Sequence, residues 1–261
     1  MRNSRLSYIK RFVRHWLTAK PKGGFGVHSP FAFHFITNVI EEKLPYYCFS
    51  VVERYRRSLL RDKQTIDVTD YGTGPSCPKR ICDIASNSLK RASLAQVIFR
   101  IAISNRSKEI LELGTSLGIT TLYLAKTDSK AHITTLEGCP NTAAVARNLM
   151  DNAGVRNVDI VIGDINKTLD GALSRHQKLD LAFFDANHRK EPTIIYFEKC
   201  LPKVSDNSIF IFDDIHHSAE MEEAWDEIKK HPAVRVSMDF FHFGVIFFNE
   251  ALQTEHYKIR L

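Results

Sequence analysis

The first forty residues of the chain contain no acidic residue, and the first carboxylate belongs to Glu41. Residues 1–108 hold 20 Lys and Arg against 7 Asp and Glu, whereas residues 109–261 hold 16 against 23. A basic N-terminal third could bind an anionic partner such as RNA, acidic lipid or a phosphorylated substrate, or it could attract the acidic remainder and fold with it. We favour the second interpretation, because charge asymmetry alone reports on association and solubility rather than on chemistry.

Long apolar runs and paired cysteines are also missing. No apolar run approaches the ~20 residues that a membrane span needs, and none has the form of a secretory signal. The five cysteines are odd in number and form no C-x-x-C pair. These absences predict free thiols in a reducing compartment, and they argue against a structural zinc site and a membrane span. We therefore expect a cytoplasmic protein.

Residues 3–19 alternate apolar and basic side chains at helical spacing. The apolar members are Leu6, Ile9, Val13, Trp16 and Leu17. An organellar presequence or a membrane-surface helix would show the same pattern. The aromatic-rich segment 25–35 follows directly and has the composition of a packing surface, so we favour a packed helix. Further helices are predicted from Ser29-Pro30 to about residue 43 and over residues 50–62.

The loop D-Y-G-T-G-P at residues 70–75 imitates a nucleotide-binding loop. No carboxylate lies near residue 94, where a ribose partner is expected, and Pro75 and Pro78 disturb the start of a following helix. We interpret residues 70–75 as a loop of a mainly helical, basic cap that covers residues 1–91.

From residue 92 onwards, strands and helices alternate, which indicates a parallel sheet covered on both faces. The predicted strands are residues 109–113, 132–136, 158–162, 179–184, 208–212, 233–238 and 243–248. The last two are joined by too few residues for a helical crossover, so they must be antiparallel neighbours. The sequence thus predicts an α/β fold over residues 92–261: a Rossmann-like, doubly wound, mostly parallel seven-stranded sheet with a C-terminal antiparallel hairpin.

A glycine loop follows the first of these strands. It reads E-L-G-T-S-L-G over residues 112–118, and the acidic Glu137 ends the next strand. Glycines at this position let the backbone turn sharply and approach a ligand, and an acid after the second strand can accept hydrogen bonds from ribose hydroxyls. The spacing E-x-G-x-x-x-G differs from the dinucleotide fingerprint G-x-G-x-x-G, which argues against a dehydrogenase.

Acidic residues recur where the five central strands end. They are Glu112, Glu137, Asp164, Asp185 and the pair Asp213 and Asp214. A single acid at such a position is commonly a helix N-cap, but five in register are harder to explain in that way. Ligands of open α/β sheets bind outside the carboxyl ends of the strands, so we expect the site there.

Several segments together resemble the class I S-adenosylmethionine-dependent methyltransferases, in the branch of the catechol and caffeoyl-CoA O-methyltransferases. The segments are I-L-E-L-G-T-S-L-G at residues 110–118, N-A-G-V at 152–155, G-D at 163–164, L-D-L-A-F-F-D-A-N-H at 179–188 and I-F-D-D at 211–214. The resemblance covers residues 92–250. It implies that residues 92–261 form an S-adenosylmethionine-binding domain.

The resemblance also implies roles for individual residues. The methionine part of S-adenosylmethionine would contact the glycine loop, Glu137 would bind the ribose hydroxyls and Asp164 the adenine amino group. The implied cofactor-binding residues are Glu112, Gly114, Thr115, Ser116, Gly118, Glu137, Gly163, Asp164 and Asp185.

A divalent cation is implied at Asp185, Asp213 and Asp214, whose oxygen ligands suit Mg²⁺, Ca²⁺ or Mn²⁺. Two positions depart from the small-molecule enzymes, which usually have Asn at position 214 and Lys at position 188. Here these are Asp214 and His188. His188 could act as a general base, or it could be a histidine that bonds locally. We predict Asp185 and His188 as catalytic residues, and we expect His216 and His217 to be surface histidines.

These features favour O-methylation of a small hydroxylated acceptor. RNA methylation by way of the basic N-terminal third and a catalytically inactive nucleotide- or partner-binding module are the alternatives. A homodimer is a further expectation, because the aromatic residues Phe240, Phe241, Phe243, Phe247 and Phe248 could form a dimer contact or belong to the core.

Overall fold

A computed structural model describes residues 5–69 and 77–261 of the chain. The loop predicted at residues 70–75 lies outside the described residues. The chain divides into two compact units: unit 1 combines the N-terminal segment up to Glu42 with Lys178–Leu261, and unit 2 is Lys43–Gln177. The boundary that we place at residue 91 stays a prediction.

The helices and strands follow one another along the chain with short connections. The helices are α1 Arg5–Thr18, α2 Pro30–Phe35, α3 Tyr47–Leu59, α4 Ile81–Ser88, α5 Ala92–Ser104, α6 Ile119–Ala125, α7 Pro140–Asn152, α8 Ile165–Leu173, α9 Lys190–Cys200 and α10 Ala219–Ile228. The strands are β1 Thr65–Val68, β2 Cys77–Arg80, β3 Glu109–Leu113, β4 His132–Glu137, β5 Val158–Ile162, β6 Leu181–Phe184, β7 Ile209–Asp213, β8 Val236–Asp239, β9 Phe243–Phe247 and β10 Glu255–Lys258. A π-helical turn, Ile36–Ile40, continues α2, and a 3-10 turn, Leu201–Lys203, follows α9.

In unit 2, strands β3, β4 and β5 lie side by side and parallel. The apolar interior of β3 and β4, such as Leu111 and Ile133, is fully buried, as expected for strands covered on both faces. The register places Leu113 opposite Leu136 and Glu137 opposite Ile162, so the carboxyl ends of the three strands come together. A separate antiparallel pair is formed by β1 and β2.

In unit 1 the strand order is β10-β8-β9-β7-β6. Strands β6 and β7 are parallel, whereas β9 is antiparallel to both β7 and β8. The predicted C-terminal hairpin is therefore present, and Phe240, Phe241, Phe243, Phe247 and Phe248 are all buried within the chain itself. These five aromatic residues belong to the core.

The predicted fold class is confirmed: the central sheet is mixed, mostly parallel and Rossmann-like. It has eight strands, one more than predicted. The additional strand is β10, which pairs parallel with β8 and reads E-H-Y-K, with Tyr257 as its one buried residue. So short and polar a segment gives no apolar signal in the sequence. Helix α8, which was not predicted, is capped by Asp164.

Helix α1 forms where the spacing predicts it, and it packs as expected. The apolar residues that define the spacing, Leu6, Ile9, Val13, Trp16 and Leu17, are exposed, whereas Arg11 and His15 are buried. The helix packs through Arg11 and His15 and through the rings of Tyr8 and Phe12, which lie edge-on to Phe241.

Candidate active site

The glycine loop between β3 and α6 has the turned backbone that its sequence predicts. Gly114, Ser116 and Gly118 have φ angles of 103°, 49° and 83°, in the left-handed region. The backbone N–H groups of Gly114 and Thr115 both donate to the carbonyl of Leu136, at 3.0 and 3.2 Å. The loop is thereby held against the end of β4.

Glu137 lies against this loop. Its Oε2 accepts the backbone N–H of Ser116 at 2.8 Å, and its Oε1 accepts that of Cys139 at 2.9 Å. The N–H of Gly163 donates to the carbonyl of Glu137 at 2.9 Å, which brings the end of β5 to the same place. Each carboxylate oxygen can accept a further hydrogen bond, so the arrangement fits the two hydroxyls of a ribose.

Glu112 is not at the tip of its strand, where we expected an acid, but inside β3 and fully buried. Its Oε2 accepts the hydroxyls of Thr121 and Thr135 at 2.5 and 2.7 Å. Burial raises the pKa of this carboxyl to about 7, against the effect of the two hydroxyls and in the same direction as the charge of Glu137. Among the described residues, no donor satisfies its Oε1. A buried, half-satisfied carboxyl beside the glycine loop fits a site for a polar ligand.

Asp164 is the N-cap of α8. Its Oδ1 accepts the backbone N–H of Asn166 at 3.0 Å and the side-chain amide of the same residue at 2.9 Å. This capping role accounts for the acid at the end of β5 without a ligand. Its implied contact with an adenine amino group stays a prediction.

Unit 1 holds a second group of candidate residues, at the carboxyl ends of β6 and β7. Asp185, His188 and Asp213 each offer one ligand atom, and these atoms lie within 4.8 Å of one another. His188 Nε2 is 3.6 Å from Asp185 Oδ1. Asp213 is buried, and the side chain of Asp185 is 15% exposed, so both carboxylates have limited contact with water. Two carboxylates and an imidazole in this arrangement can hold a divalent cation.

Asp214 does not join this group, although the resemblance implies it as a ligand. Its backbone N–H donates to the carbonyl of His242 at 2.7 Å, and its Oδ2 lies 4.0 Å from His217 Nδ1. Asp214, Asn187 and His188 have φ angles of 52°, 68° and 39°. Residues other than glycine seldom adopt the left-handed region, although Asn, Asp and His do so more often than the rest. Both loops therefore turn sharply directly after β6 and β7.

His216 is buried, which makes the expectation of a surface histidine wrong for this residue. Its Nδ1 lies 2.6 Å from Glu222 Oε1 and its Nε2 lies 2.9 Å from Asp239 Oδ2. His15 Nε2 lies 3.0 Å from the other oxygen of Asp239. Burial lowers the pKa of His216, but the two carboxylates more than offset this and raise it above its ordinary value. The sequence contains no local signal for this network, because its members come from α1, the loop after β7, α10 and β8.

Arg11 ties the loop after β7 to α1. Its Nε donates to the carbonyl of His216 at 2.9 Å, and its Nη2 donates to the carbonyl of His217 at 2.8 Å. The two ends of each bond are more than 200 residues apart in the chain. Helix α1 thus holds the loop that begins directly after Asp213, a role that sequence reasoning missed.

Comparison with known proteins agrees with this geometry. Residues 111–215 match the model of a family described as a methyltransferase domain. The chain is 26% identical over 159 residues to the catechol O-methyltransferase of Mycobacterium tuberculosis (strain ATCC 25618 / H37Rv), a match that covers 58% of this chain and 69% of that protein. It is 30% identical over 138 residues to the catechol O-methyltransferase of Niastella koreensis, which covers 52% of this chain and 60% of that protein.

The fold is also that of solved methyltransferases. The O-methyltransferase from Bacillus cereus, in complex with S-adenosylhomocysteine, superimposes with a TM-score of 0.57 at 16% identity, over 81% of this chain and 96% of that one. The fold is that of the class I methyltransferases. More particularly, the matched domain and the two relatives support a methyltransferase of the O-methyltransferase type. The dehydrogenase and the inactive module are not supported.

Proposed function

We propose that the enzyme methylates a hydroxyl group of a small acceptor, that Asp185 and Asp213 hold a divalent cation, and that His188 beside them takes the hydroxyl proton. The observation that carries the proposal is the grouping of their ligand atoms within 4.8 Å. The similarity to two catechol O-methyltransferases supports an acceptor with neighbouring hydroxyls. A cation beside such hydroxyls lowers their pKa and stabilises the oxyanion.

We propose that S-adenosylmethionine is the cofactor and that Glu137 binds its ribose hydroxyls. The backbone of the glycine loop would border its methionine part, through Gly114, Thr115, Ser116 and Gly118. The hydrogen bond between Ser116 N–H and Glu137 Oε2 supports this, since it places the carboxylate at the glycine loop. Gly163 is joined to the backbone of Glu137 and belongs to the same site. The further cofactor contacts that the resemblance implies are Glu112, Asp164 and Asp185.

Bound S-adenosylmethionine would supply an electrophilic methyl group on a sulfonium. Transfer of this methyl group to the acceptor oxygen would break the carbon–sulfur bond and give a methyl ether and S-adenosylhomocysteine. The hydroxyl proton must leave, and we assign its removal to His188. Because the displacement is in line, holding the acceptor in position supplies much of the rate.

The test of the cation is methylation of a panel of catechol-like acceptors, followed by mass spectrometry of S-adenosylhomocysteine. We expect EDTA and Asp213→Ala to abolish turnover, and added Mg²⁺ or Mn²⁺ to restore it after EDTA in the wild type alone. The exposed Asp206→Ala in the same unit is the matched control and should keep full activity. Turnover that persists in EDTA would leave a mechanism without a metal.

His188 lies within the cation group, so its role as base needs a separate test. If His188 acts as a base, His188→Gln should reduce kcat by about 10² to 10⁴, flatten the pH profile and leave the affinity for Mn²⁺ unchanged. If His188 is instead a ligand, calorimetry should show weaker Mn²⁺ binding by the variant. Asp214→Asn, which introduces the residue that is usual in the small-molecule enzymes, should retain activity if Asp214 is not a ligand.

RNA is the second candidate acceptor, and one observation favours it. Arg54, Arg57 and Arg61 line a concave surface along α3 and beyond its end. Such a row of guanidinium groups can neutralise phosphates. Filter binding of a structured RNA across a salt series tests this: a steep loss of affinity that disappears in Arg54→Gln/Arg57→Gln would support RNA, and a flat or absent response would remove it.

The cellular setting remains a proposal. None of the helices in the described part of the chain is both long and apolar enough to cross a membrane. The five cysteines, Cys48, Cys77, Cys82, Cys139 and Cys200, are all free. Free thiols support a reducing compartment such as the cytoplasm, as the sequence predicts. Fractionation of the native cell checks this, and analytical ultracentrifugation checks the expected homodimer.

A further inference from the structure

Helix α1 exposes a continuous row of apolar side chains, which we call the apolar stripe. It consists of Leu6 (70% exposed), Ile9 (52%), Val13 (47%), Trp16 (49%) and Leu17 (67%). These residues recur at intervals of three or four and therefore lie on one face of the helix. Single exposed apolar residues are ordinary, but a contiguous row of large ones marks an interaction surface.

The opposite face of α1 attaches the helix to unit 1 through polar and aromatic side chains together. Arg11 donates to the backbone carbonyls of His216 and His217, and His15 contacts Asp239. Tyr8 and Phe12 pack edge-on against the buried Phe241 ring, with centroids 5.3 and 5.0 Å away. Since these side chains anchor the helix, the apolar stripe on the outer face is not used for its attachment.

The charged side chains that α1 itself places beside the apolar stripe are all basic. Lys10 and Arg14 are exposed and lie three or four residues from stripe members along the helix, so they flank it. Arg14 also pairs with Glu222, and the guanidinium of Arg260 lies 4.1 Å from the centre of the Trp16 ring. No acidic residue occurs between residues 5 and 40. In the loop after α1, Lys22 is exposed beside Phe25, whose exposed fraction is 71%.

We propose that the apolar stripe and its flanking lysines and arginines dock this enzyme on the surface of an anionic lipid bilayer. An interfacial helix needs an apolar face that enters the boundary between headgroups and acyl chains, with basic residues at the headgroups, and α1 has both. Tryptophan is enriched at this depth, and Trp16 lies within the stripe.

Two other partners, a second copy of the chain and a nucleic acid, fit the apolar stripe less well. A second copy of α1 would bring Lys10 and Arg14 towards like charges, since the helix carries no acid to pair with them. A nucleic acid would bind the basic residues but would leave five large apolar side chains in water. An anionic bilayer satisfies the charges and the apolar area together.

Flotation with vesicles tests this proposal on the full chain. We expect the protein to float with vesicles of phosphatidylcholine mixed with phosphatidylglycerol, and to bind pure phosphatidylcholine at least about tenfold more weakly. The emission of Trp16 should shift to shorter wavelength on binding. Trp225 is buried and should contribute an unchanged background.

Two multiple variants separate the apolar from the electrostatic contribution to vesicle binding. Ile9→Ser/Val13→Ser/Leu17→Ser should reduce partitioning into anionic vesicles by more than about tenfold, because it removes apolar area. Lys10→Glu/Lys22→Glu should reduce it by about fivefold or more per residue. The matched controls Leu60→Ser and Lys130→Glu change an exposed apolar and an exposed basic residue elsewhere and should bind as the wild type does. Thermal stabilisation of each variant by S-adenosylmethionine shows that the variant is folded.

Several results would overturn the proposal. These are absence of vesicle binding by the wild type, equal binding to neutral vesicles, or unchanged binding of the triple serine variant. A dimer that this variant converts to a monomer, without vesicle binding, would assign the stripe to a second copy. RNA binding lost in the same variant, again without vesicle binding, would assign it to nucleic acid.

Discussion

At the scale of single residues, Glu112 and Glu137 show how the same side chain acquires two different properties on neighbouring strands. Glu137 receives two backbone N–H bonds at the end of β4, one on each carboxylate oxygen. Glu112 is buried within β3 and receives two hydroxyl groups on one oxygen. The expectation that the acidic residues lie where the strands end is correct for Glu137. It is not correct for Glu112, which is buried inside β3.

The raised pKa of Glu112 makes stability dependent on pH. Between its ordinary value of 4.5 and about 7, the folded state holds a proton that the unfolded state has released. Stability must therefore fall as the pH rises through this range, by at most about 3 kcal/mol. In Glu112→Gln this decline should be smaller, as measured by urea unfolding at about pH 5 and pH 8. The exposed Glu198→Gln should keep the wild-type decline, and equal declines in both variants would refute the assignment.

Asp239 lies between His15 and His216. Burial alone raises the pKa of this carboxyl, but the hydrogen bonds from His15 and His216 hold it well below its ordinary value. Asp239→Asn removes the charge that both rings face and should cost about 3 kcal/mol, which is typical of breaking a buried charged network on one side. The urea midpoint should fall accordingly, while Asp206→Asn, which is exposed, should leave it in place. A midpoint within error of the wild type would show that the network contributes no stability.

At the scale of elements, Gly118 joins the glycine loop to α6 and lets α6 approach α7. It has a φ of +83°, and a Cβ at this position would lie 3.0 Å from Ala146 Cβ and 3.3 Å from Ala146 Cα. Gly118→Ala should therefore destabilise the protein by about 2 to 3 kcal/mol, from backbone strain and from overpacking together. Thermal or urea unfolding measures this loss.

Substitutions at two other glycines separate the contribution of backbone strain from that of overpacking. Gly154 has a φ of +65° with nothing within 4 Å, so Gly154→Ala should show the backbone strain alone, about 1 kcal/mol. Gly171 lies in α8 in open space, so Gly171→Ala should be neutral or stabilising by about 0.5 kcal/mol. A loss in Gly118→Ala no greater than in Gly154→Ala would mean that α6 and α7 can move apart.

Elements with strong apolar periodicity were predictable, and short polar ones were not. The bounds of β3 and β5 agree with the prediction residue for residue. Strand β10 was missed because its pairing with β8, rather than its own composition, makes it a strand. Helix α8 was missed because we weighed Asp164 as a ligand and not as the start of a helix.

At the scale of the whole molecule, the cofactor should stabilise the fold by mass action. S-adenosylmethionine at about 100 times its Kd should add about 2.7 kcal/mol, or a rise in Tm of about 5 to 10 °C for a chain of this size. NAD should produce no rise. Glu137→Ala should need at least tenfold more S-adenosylmethionine for the same rise, because the ribose loses its acceptor. An unchanged dependence on concentration would remove Glu137 from the site.

The order of strands β3 to β9, the turn at Gly114 and the approach of Glu137 to the glycine loop were determined by the sequence alone. Each depends on residues close together in the chain, whose spacing and backbone preferences act locally. Only the tertiary structure decided that His216 is buried and that α1 exposes its apolar side chains, because the partners of His15 and Arg11 lie some 200 residues away. An amphipathic pattern states that a helix has two faces. Which face is covered depends on hydrogen-bond partners that the chain brings from a distance.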